Sequence, residues 1–522
     1  MNQEQVYNPY GGNSIYSMPQ QPQGPLTRRQ RLGRRLLDGK RIGGVILQNW
    51  FASYAVAAYA IALVMVNVMF SGYATEWYFG LFGIIWVVGF FYGCVYLSRS
   101  WSVLKIRKSR FFEKKLFWIG LMIRIVYAIF IYYFYISMNG KPYEFAAMDS
   151  DGYMESAKDF AIYFRSGTLW PFITEYAKKS FSDMGYPLFA MLQFYIFEED
   201  TALLVLRLVH AFFGAYTSVL IYRLTRRTFD ESVARIAAIF CMLHPVLICY
   251  VGVTLKEVVM TWLLVLFVDL SDRLLRNRRY TFATVFPVVT VGFLLFMFRT
   301  VLGLVAFMAV FFTLVMIDTK LVSWGRKIVV GIILAGVIVA GASDNIMREI
   351  DAIRQTDFMK EQETTMTKRY GSEKQGEFSG NRFANYAGAA VFAPMIFTIP
   401  FPTMVATEGQ EDMRLIHGGN WMRNVMSGFV ILAMFMLLLT GEWRRYTLPL
   451  AVLLGYFVVL VFSSFAHSLR FHIPVIPFEM IYASYAIVNL RKKHKNWYLI
   501  WCIFMVVTCI GWNWIKLRGR GL

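Results

Sequence analysis

The sequence consists of long apolar runs separated by short connections rich in basic residues. A run of about 17 to 25 apolar residues is long enough to cross the hydrocarbon core of a bilayer as an α-helix. We predict spans near 44–70, 78–97, 116–137, 201–223, 233–251, 256–270, 282–298, 301–318, 327–342, 425–440, 447–465, 472–489 and 497–515. The pattern therefore predicts an all-α polytopic membrane protein, a bundle of about 12 to 13 transmembrane helices with short helices in external loops.

The composition agrees with this prediction. Hydrophobic residues make up 57% of the chain and charged residues only 16%, whereas soluble proteins carry about a quarter charged residues. The net charge of +20 does not indicate nucleic-acid binding, because the basic residues lie in short clusters between apolar runs, as in cytoplasmic loops. The cysteines all lie in apolar runs without a CxxC pair, which argues against disulfides and zinc sites.

The basic clusters also predict the orientation. With a cytoplasmic N-terminus, they fall on the cytoplasmic side, as the positive-inside rule requires. These clusters are 99–115, 222–235, 273–279, 326–327, 443–445 and 491–495. The basic stretch Lys516–Arg520 falls outside in this count, which points to one misassigned span within 233–270 or at the C-terminus. We expect an integral, multi-pass protein of the plasma or inner membrane.

Two long connections face the extracytoplasmic side in this topology, and they set the predicted organisation. The segments are a disordered and basic tail at 1–42, two additional N-terminal helices at 43–115, a membrane core at 116–342 with a first external loop at 138–200, a second external loop at 343–424, and C-terminal helices at 425–522. Both loops are expected to lay short helices over the membrane face. His244-Pro245 predicts a kink at a helix end.

Candidate chemistry begins in the first external loop. Asp149 and Asp151 follow the apolar run 116–137, and ionisable groups beside a membrane are costly to place, so they mark candidate sites. On an extended or turn segment, both carboxylates can approach one metal ion or one hydroxyl, or one can act as a base that the other orients. The structural alternative is that one of them caps a helix that starts at Gly152.

Further turns on the same side carry charged residues. Lys256 and Glu257 lie at the tip of a hairpin between two spans, where the alternative to a substrate contact is an interfacial salt bridge or a snorkelling lysine. Arg470 and His472 lie at a later turn, and Arg299 lies between two spans. A guanidinium binds phosphate bidentately, so both arginines are candidate phosphate ligands, with an interfacial anchor as the alternative.

The order of these motifs resembles the C-type (GT-C) membrane glycosyltransferases, in the branch that holds protein O-mannosyltransferases and lipid A aminoarabinose transferases. The resemblance rests on DSDGYMESAKDFA (149–161), GYPLFAMLQFYIF (185–197), the stretch 206–257 that ends in YVGVTLKE, and RFHIPVIPFEMIYASYAI (470–487). It covers 117–318 well and 447–490 moderately. Two features depart from the family: the spans before residue 100 are additional, and the second external stretch lacks the soluble domain of some relatives.

The resemblance implies roles for individual residues. Asp149, with Asp151 as second choice, matches the acidic residue of the first external loop, Glu257 matches the acid that closes the later turn, and Arg470 begins the late motif. We therefore predict Asp149, Asp151 and Glu257 as catalytic residues. The predicted substrate-binding residues are Tyr153, Lys256, Arg470, Arg299 and His472.

The predicted function is transfer of a sugar from a polyprenyl-phosphate-linked donor to an acceptor on the extracytoplasmic face. Two alternatives stay open: a polysaccharide polymerase or ligase that uses lipid-diphosphate-linked glycans, and a transporter or flippase of a lipid-linked sugar. Charges that cluster at one face, and not within several spans, favour an enzyme. The expected partners are the donor lipid, membrane lipids and a glycan, lipid or protein acceptor. No cofactor is required, although Asp149 and Asp151 can be considered for a divalent metal ion.

Overall fold

The structure is a computed structural model that describes residues 46–102, 109–277, 281–316, 395–407, 409–462, 468–490 and 495–518. Within these ranges the chain forms 17 α-helices, and an isolated β-bridge joins Ala74 to Val405. The helices are α1 (Asn49–Met69), α2 (Trp77–Ser102), α3 (Ser109–Asn139), α4 (Met148–Arg165), α5 (Leu169–Ile196), α6 (Glu199–Thr228), α7 (Glu231–Leu243), α8 (Pro245–Cys249), α9 (Glu257–Asn277), α10 (Phe282–Phe298), α11 (Thr300–Met316), α12 (Glu411–Leu415), α13 (His417–Thr440), α14 (Thr447–Phe462), α15 (Leu469–His472), α16 (Ile476–Asn489) and α17 (Lys495–Arg518). The all-α fold class is confirmed.

Seven helices in the described ranges are long and apolar enough to cross a membrane: α1, α2, α3, α6, α13, α17 and the continuous run Leu469–Asn489. The pair α7 and α8 makes an eighth if it is one bent span. Every other predicted span coincides with a helix, except 327–342, which lies outside the described residues. Because α10, α11 and α14 are shorter and α9 ends in charged residues, the total of 12 to 13 spans stays a prediction.

The bend between α7 and α8 confirms the kink predicted at His244-Pro245. The two pieces meet at 50°, because proline lacks the N–H that would continue the helix. Arg124 of α3, which is fully buried, donates to the carbonyls of Cys241 (3.3 Å) and Met242 (3.1 Å). These are carbonyls that the break leaves without intrahelical partners. The arginine thus stabilises the broken span.

The core of the bundle is built around α6 and α16. Helix α6 packs against α3, α7 and α9, and α16 packs against α7 and α13. The additional N-terminal helices do not stand apart, since α1 packs against α17 and α2 packs against α13. The first and last of the described helices therefore close the same side of the bundle.

Part of the predicted second external loop is buried among the helices. Ile396, Ile399 and Met404 are buried although the segment from 398 to 405 is not helical. Three side chains form hydrogen bonds with its backbone, since buried backbone groups outside a helix need other partners. Arg423 donates to the Ile399 carbonyl, Asn424 donates to the carbonyls of Thr398 and Pro400, and Asn513 accepts from the Met404 amide and donates to the Pro402 carbonyl. This segment is therefore held inside the helical bundle by side chains of α13 and α17.

Helix α13 starts at His417, eight residues before the span that the sequence predicts. The polar side chains of this first stretch have buried partners: His417 lies 2.8 Å from the Tyr59 hydroxyl, and Arg423 pairs with Glu479 at 2.7 Å. A Cβ on Gly418 would meet the backbone oxygen of Gly83 at 2.6 Å. Close backbone packing and internal polar pairs therefore extend the helix beyond its apolar run.

Candidate active site

Three turns that are far apart in sequence meet at one end of the bundle. Arg470, in the short helix α15, lies between Asp149 in the first turn of α4 and Glu257 at the start of α9. Its Nη1 pairs with Asp149 and its Nε pairs with Glu257. The Asp149 side chain is 62% exposed, whereas that of Glu257 is 0% exposed. One guanidinium thus joins an open carboxylate to a buried one.

The segment that carries Asp149 is helical, which corrects the prediction of an extended or turn segment. Helix α4 starts at Met148, so Asp149 and Asp151 lie inside its first turn, and neither is the N-cap residue. Carboxylates are favourable at this position because of the helix dipole. Positions two apart do not share a helix face, so Asp149 points to Arg470, whereas Asp151 is exposed and takes no part in the ion pairs of the described residues.

A divalent metal ion held jointly by Asp149 and Asp151 stays a prediction. The described ranges contain no group of three or more His, Cys, Asp or Glu side chains that could hold an ion. Asp149 also pairs with a guanidinium, which competes with a cation for the carboxylate.

Lys256 and Tyr153 meet at Asp183, a residue that the sequence analysis did not select. Lys256 forms an ion pair with Asp183, and the Tyr153 hydroxyl donates to the same carboxylate at 3.3 Å. The Lys256 amine also lies 5.6 Å from the centre of the Tyr153 ring. Burial lowers the pKa of the Lys256 amine, an effect that Asp183 opposes. Burial would raise the pKa of Asp183, but Lys256 outweighs it and the pKa is lowered.

Arg299 adds a third cation to this end. It lies between α10 and α11, and its guanidinium stands 4.3 Å from the centre of the Phe471 ring. Its charge lowers the pKa of both Asp183 and Lys256. The Nη1 atom of Arg299 is buried, and no hydrogen-bond partner for it lies among the described residues. We name the set Asp149, Asp183, Lys256, Glu257, Arg299 and Arg470 the site cluster.

The structure does not bring His472 into the site cluster. It is fully buried, and its Nδ1 lies 3.0 Å from Nη2 of Arg423. Arg423 is the residue that pairs with Glu479 and holds the Ile399 carbonyl. His472 thus belongs to the packing behind the site and supports the frame of α13 and α16.

The arrangement suits group transfer. It combines an exposed carboxylate that can accept a proton, a buried carboxylate that holds the neighbouring arginine, and cations that can neutralise a departing anion. The six charges of the site cluster balance as three carboxylates and three cations.

Comparison with known proteins supports this interpretation. Residues 168–353, just over a third of the chain, match the family model described as the Alg9-like mannosyltransferase family. The match includes Asp183, Lys256, Glu257 and Arg299, whereas Asp149 and Arg470 lie outside it. Comparison with curated proteins and with solved structures gave no match. This match supports a membrane glycosyltransferase of the GT-C type that acts on a lipid-linked sugar, in agreement with the resemblance.

Proposed function

We propose that the protein transfers a sugar from a polyprenyl-phosphate carrier to an acceptor hydroxyl at the extracytoplasmic membrane face. The family match makes mannose the first sugar to test. The observation that carries the proposal is the bridge of Arg470 between exposed Asp149 and buried Glu257 at a turn-rich end of the bundle. A lipid-linked donor reaches such a position from the membrane, and the acceptor approaches from the aqueous side.

In the proposed reaction, Asp149 is the general base. The acceptor O–H bond breaks as its proton passes to Asp149, and the acceptor oxygen forms a bond to the anomeric carbon. The bond between that carbon and the phosphate oxygen breaks in the same step, so the configuration inverts and the lipid phosphate leaves. Glu257 orients Arg470, which in turn orients Asp149. A base in this role contributes about 10²- to 10⁴-fold to the rate.

The cations of the site cluster stabilise the departing lipid phosphate in this scheme. Arg470 already contacts two carboxylates, so only part of its guanidinium can reach a phosphate. Arg299 has a buried Nη1 without a hydrogen-bond partner among the described residues, which makes it the better-placed phosphate ligand. Lys256, held by Asp183 beside Tyr153, supplies a further positive charge. Such fixed charges act where negative charge develops.

Asp149→Asn and Asp151→Asn form a matched pair for the test. Both remove one carboxylate from the first turn of α4, but only Asp149 contacts Arg470. In proteoliposomes supplied with labelled polyprenyl-phosphate mannose, Asp149→Asn should lower turnover at least 10²-fold. Asp151→Asn should stay within a few-fold of the wild-type rate. Undiminished transfer by Asp149→Asn would overturn the proposed base, and transfer only from a diphosphate-linked glycan would overturn the proposed donor.

A further inference from the structure

The loop from 140 to 147, which leads into α4 and Asp149, is fastened by side chains from several parts of the chain. Arg207 of α6, fully buried, donates to the Pro142 carbonyl. The Glu144 carboxylate accepts from the Ser150 hydroxyl. These contacts hold the first part of the loop and the first turn of the helix.

Asp412 holds the end of this loop. Its carboxylate accepts the amide hydrogens of Phe145 at 3.2 Å and of Ala146 at 2.8 Å, although Asp412 follows them by more than 260 residues. Helix α4 begins two residues later, and its N-cap Ala147 has no side chain that could bond the first turn. Two acceptor oxygens on two adjacent amides fix both the position and the rotation of the backbone at this point.

The short helix that carries Asp412 is itself fixed. Arg414 pairs with Glu76 and, at 3.1 Å, with Glu411. Helix α12 leads directly into α13, which packs against α16. Arg470 lies in α15, just before α16. The contact of Asp412 therefore connects the loop before Asp149 to the same frame that positions Arg470.

We infer that Asp412 is a positioning residue that sets Asp149 beside Arg470 and the acceptor. The inference rests on the proposed function, because it matters only if Asp149 takes the proton. A displacement of about 1 Å at a reacting group can lower a rate by about 10²-fold. Loss of one of the two amide contacts should therefore lower turnover while the donor, held by the cations of the site cluster, still binds.

The test uses the full-length protein with Asp412→Asn and a matched control, Asp159→Asn, at an exposed position of α4. Asparagine keeps one acceptor oxygen but presents an NH₂ group to the second amide. We expect Asp412→Asn to lower kcat about 10- to 100-fold, with the KM for labelled polyprenyl-phosphate mannose within twofold of wild type. Asp159→Asn should leave kcat within twofold. Asp412→Glu, which keeps both oxygens, should recover part of the loss.

A double-mutant cycle separates positioning from a general structural effect. In an Asp149→Glu background the base is already displaced, so Asp412→Asn should lower the remaining rate by less than threefold. Equal losses in both backgrounds, or an unchanged kcat in Asp412→Asn alone, would overturn the inference. The proposed function fails by a different result, namely full activity of Asp149→Asn.

Discussion

Both ends of α9 carry ion pairs, but the two ends are built differently. Glu257 begins the helix in the site cluster, and Asp269 lies 12 residues further along, at a distance of about 18 Å. Around Asp269 lies a second set of charges, which we name the distal cluster. It consists of Glu113, Arg223, Arg226, Arg227, Glu231, Arg235, Asp269, Asp272, Arg273 and Arg276.

Each cluster has one arginine that contacts two carboxylates, Arg227 or Arg470, but the carboxylates differ in the number of arginines that they contact and in their exposure. In the distal cluster, single carboxylates contact two arginines each: Asp269 contacts Arg227 and Arg273, and Asp272 contacts Arg227 and Arg276. Both carboxylates are 1% exposed. In the site cluster one arginine, Arg470, contacts two carboxylates, of which one is open to the solvent.

The ion pairs of the two clusters also differ in how far apart the partners lie in the sequence, and we interpret the distal pairs as structural and those of Arg470 as functional. Three distal pairs are four residues apart on one helix: Arg235–Glu231, Arg273–Asp269 and Arg276–Asp272. Such local pairs form together with the helix and leave the carboxylates enclosed. The pairs of Arg470 join residues that are 321 and 213 positions apart, so they form only when the whole bundle is assembled. The site cluster thus has a carboxylate open to the solvent, Asp149, whereas Asp269 and Asp272 in the distal cluster are enclosed.

The largest expected effect is on stability and lies in the distal cluster. Arg227→Met removes the cation that Asp269 and Asp272 share, and loss of one partner from a buried ion pair costs about 3 to 5 kcal/mol. We expect a lower temperature of unfolding in detergent but a normal kcat for the protein that remains folded. A large loss of kcat at unchanged thermal stability would break the comparison.

The next effect concerns how the stability of the protein depends on pH, and it comes from Glu144 in the loop from 140 to 147. Burial raises the pKa of Glu144 from 4.5 to about 7. The folded state thus holds this proton more tightly than the unfolded state. Stability is therefore fully present below about pH 4.5 and declines as the pH rises to about 7, by about 3 kcal/mol. Glu144→Gln keeps the acceptor for Ser150 and should remove this decline, so the variant should unfold at a higher temperature than wild type at pH 8.

Thermal unfolding between pH 5 and pH 8 measures this effect. Glu155→Gln, at an exposed position of α4, is the control and should follow the wild-type curve. Parallel curves for wild type and Glu144→Gln would contradict the expectation that ionisation of the buried Glu144 carboxyl group lowers the stability of the protein.

The smallest expected effect is on donor binding. Arg470→Lys keeps the charge but loses the planar fork that bridges Asp149 and Glu257. We expect the affinity for the lipid-phosphate sugar to fall about tenfold, equal to about 1.4 kcal/mol, with little change in the pH profile of turnover. Arg223→Lys, whose partner Glu113 lies in the distal cluster, should bind the donor as wild type does. If Arg470→Lys also binds normally, Arg470 is an anchor only.

The sequence predicted the helices well because the length of an apolar run alone decides whether it can cross a bilayer. It also pointed to Asp149, Glu257 and Arg470, since each charged residue interrupts or borders an apolar run at the same predicted face. It did not reveal the start of α13 at His417, because polar side chains there gain partners only from other helices.

The residues that the sequence did not identify depend on distant partners. Asp183 lies in a helix of mixed polarity, two residues before the GYP motif, and only Lys256, 73 positions later, distinguishes it from a surface acid. Asp412 belongs to no motif, and its proposed role follows from two backbone amides that precede it by more than 260 residues. The helical state of residues 149–151 was also missed, because no capping side chain marks the start of α4.

The hydrogen bonds of Asn513 have a consequence for the order in which the protein is made. Asn513 lies in α17 and satisfies the Met404 amide and the Pro402 carbonyl, 109 and 111 residues earlier. A growing chain exposes residues 398 to 405 long before α17 leaves the ribosome. We expect residues 398 to 405, and with them the start of α12 and Asp412, to take up their folded positions only after α17 has entered the membrane. A nascent chain stalled before α17 would thus carry every charge of the site cluster and still lack its working geometry.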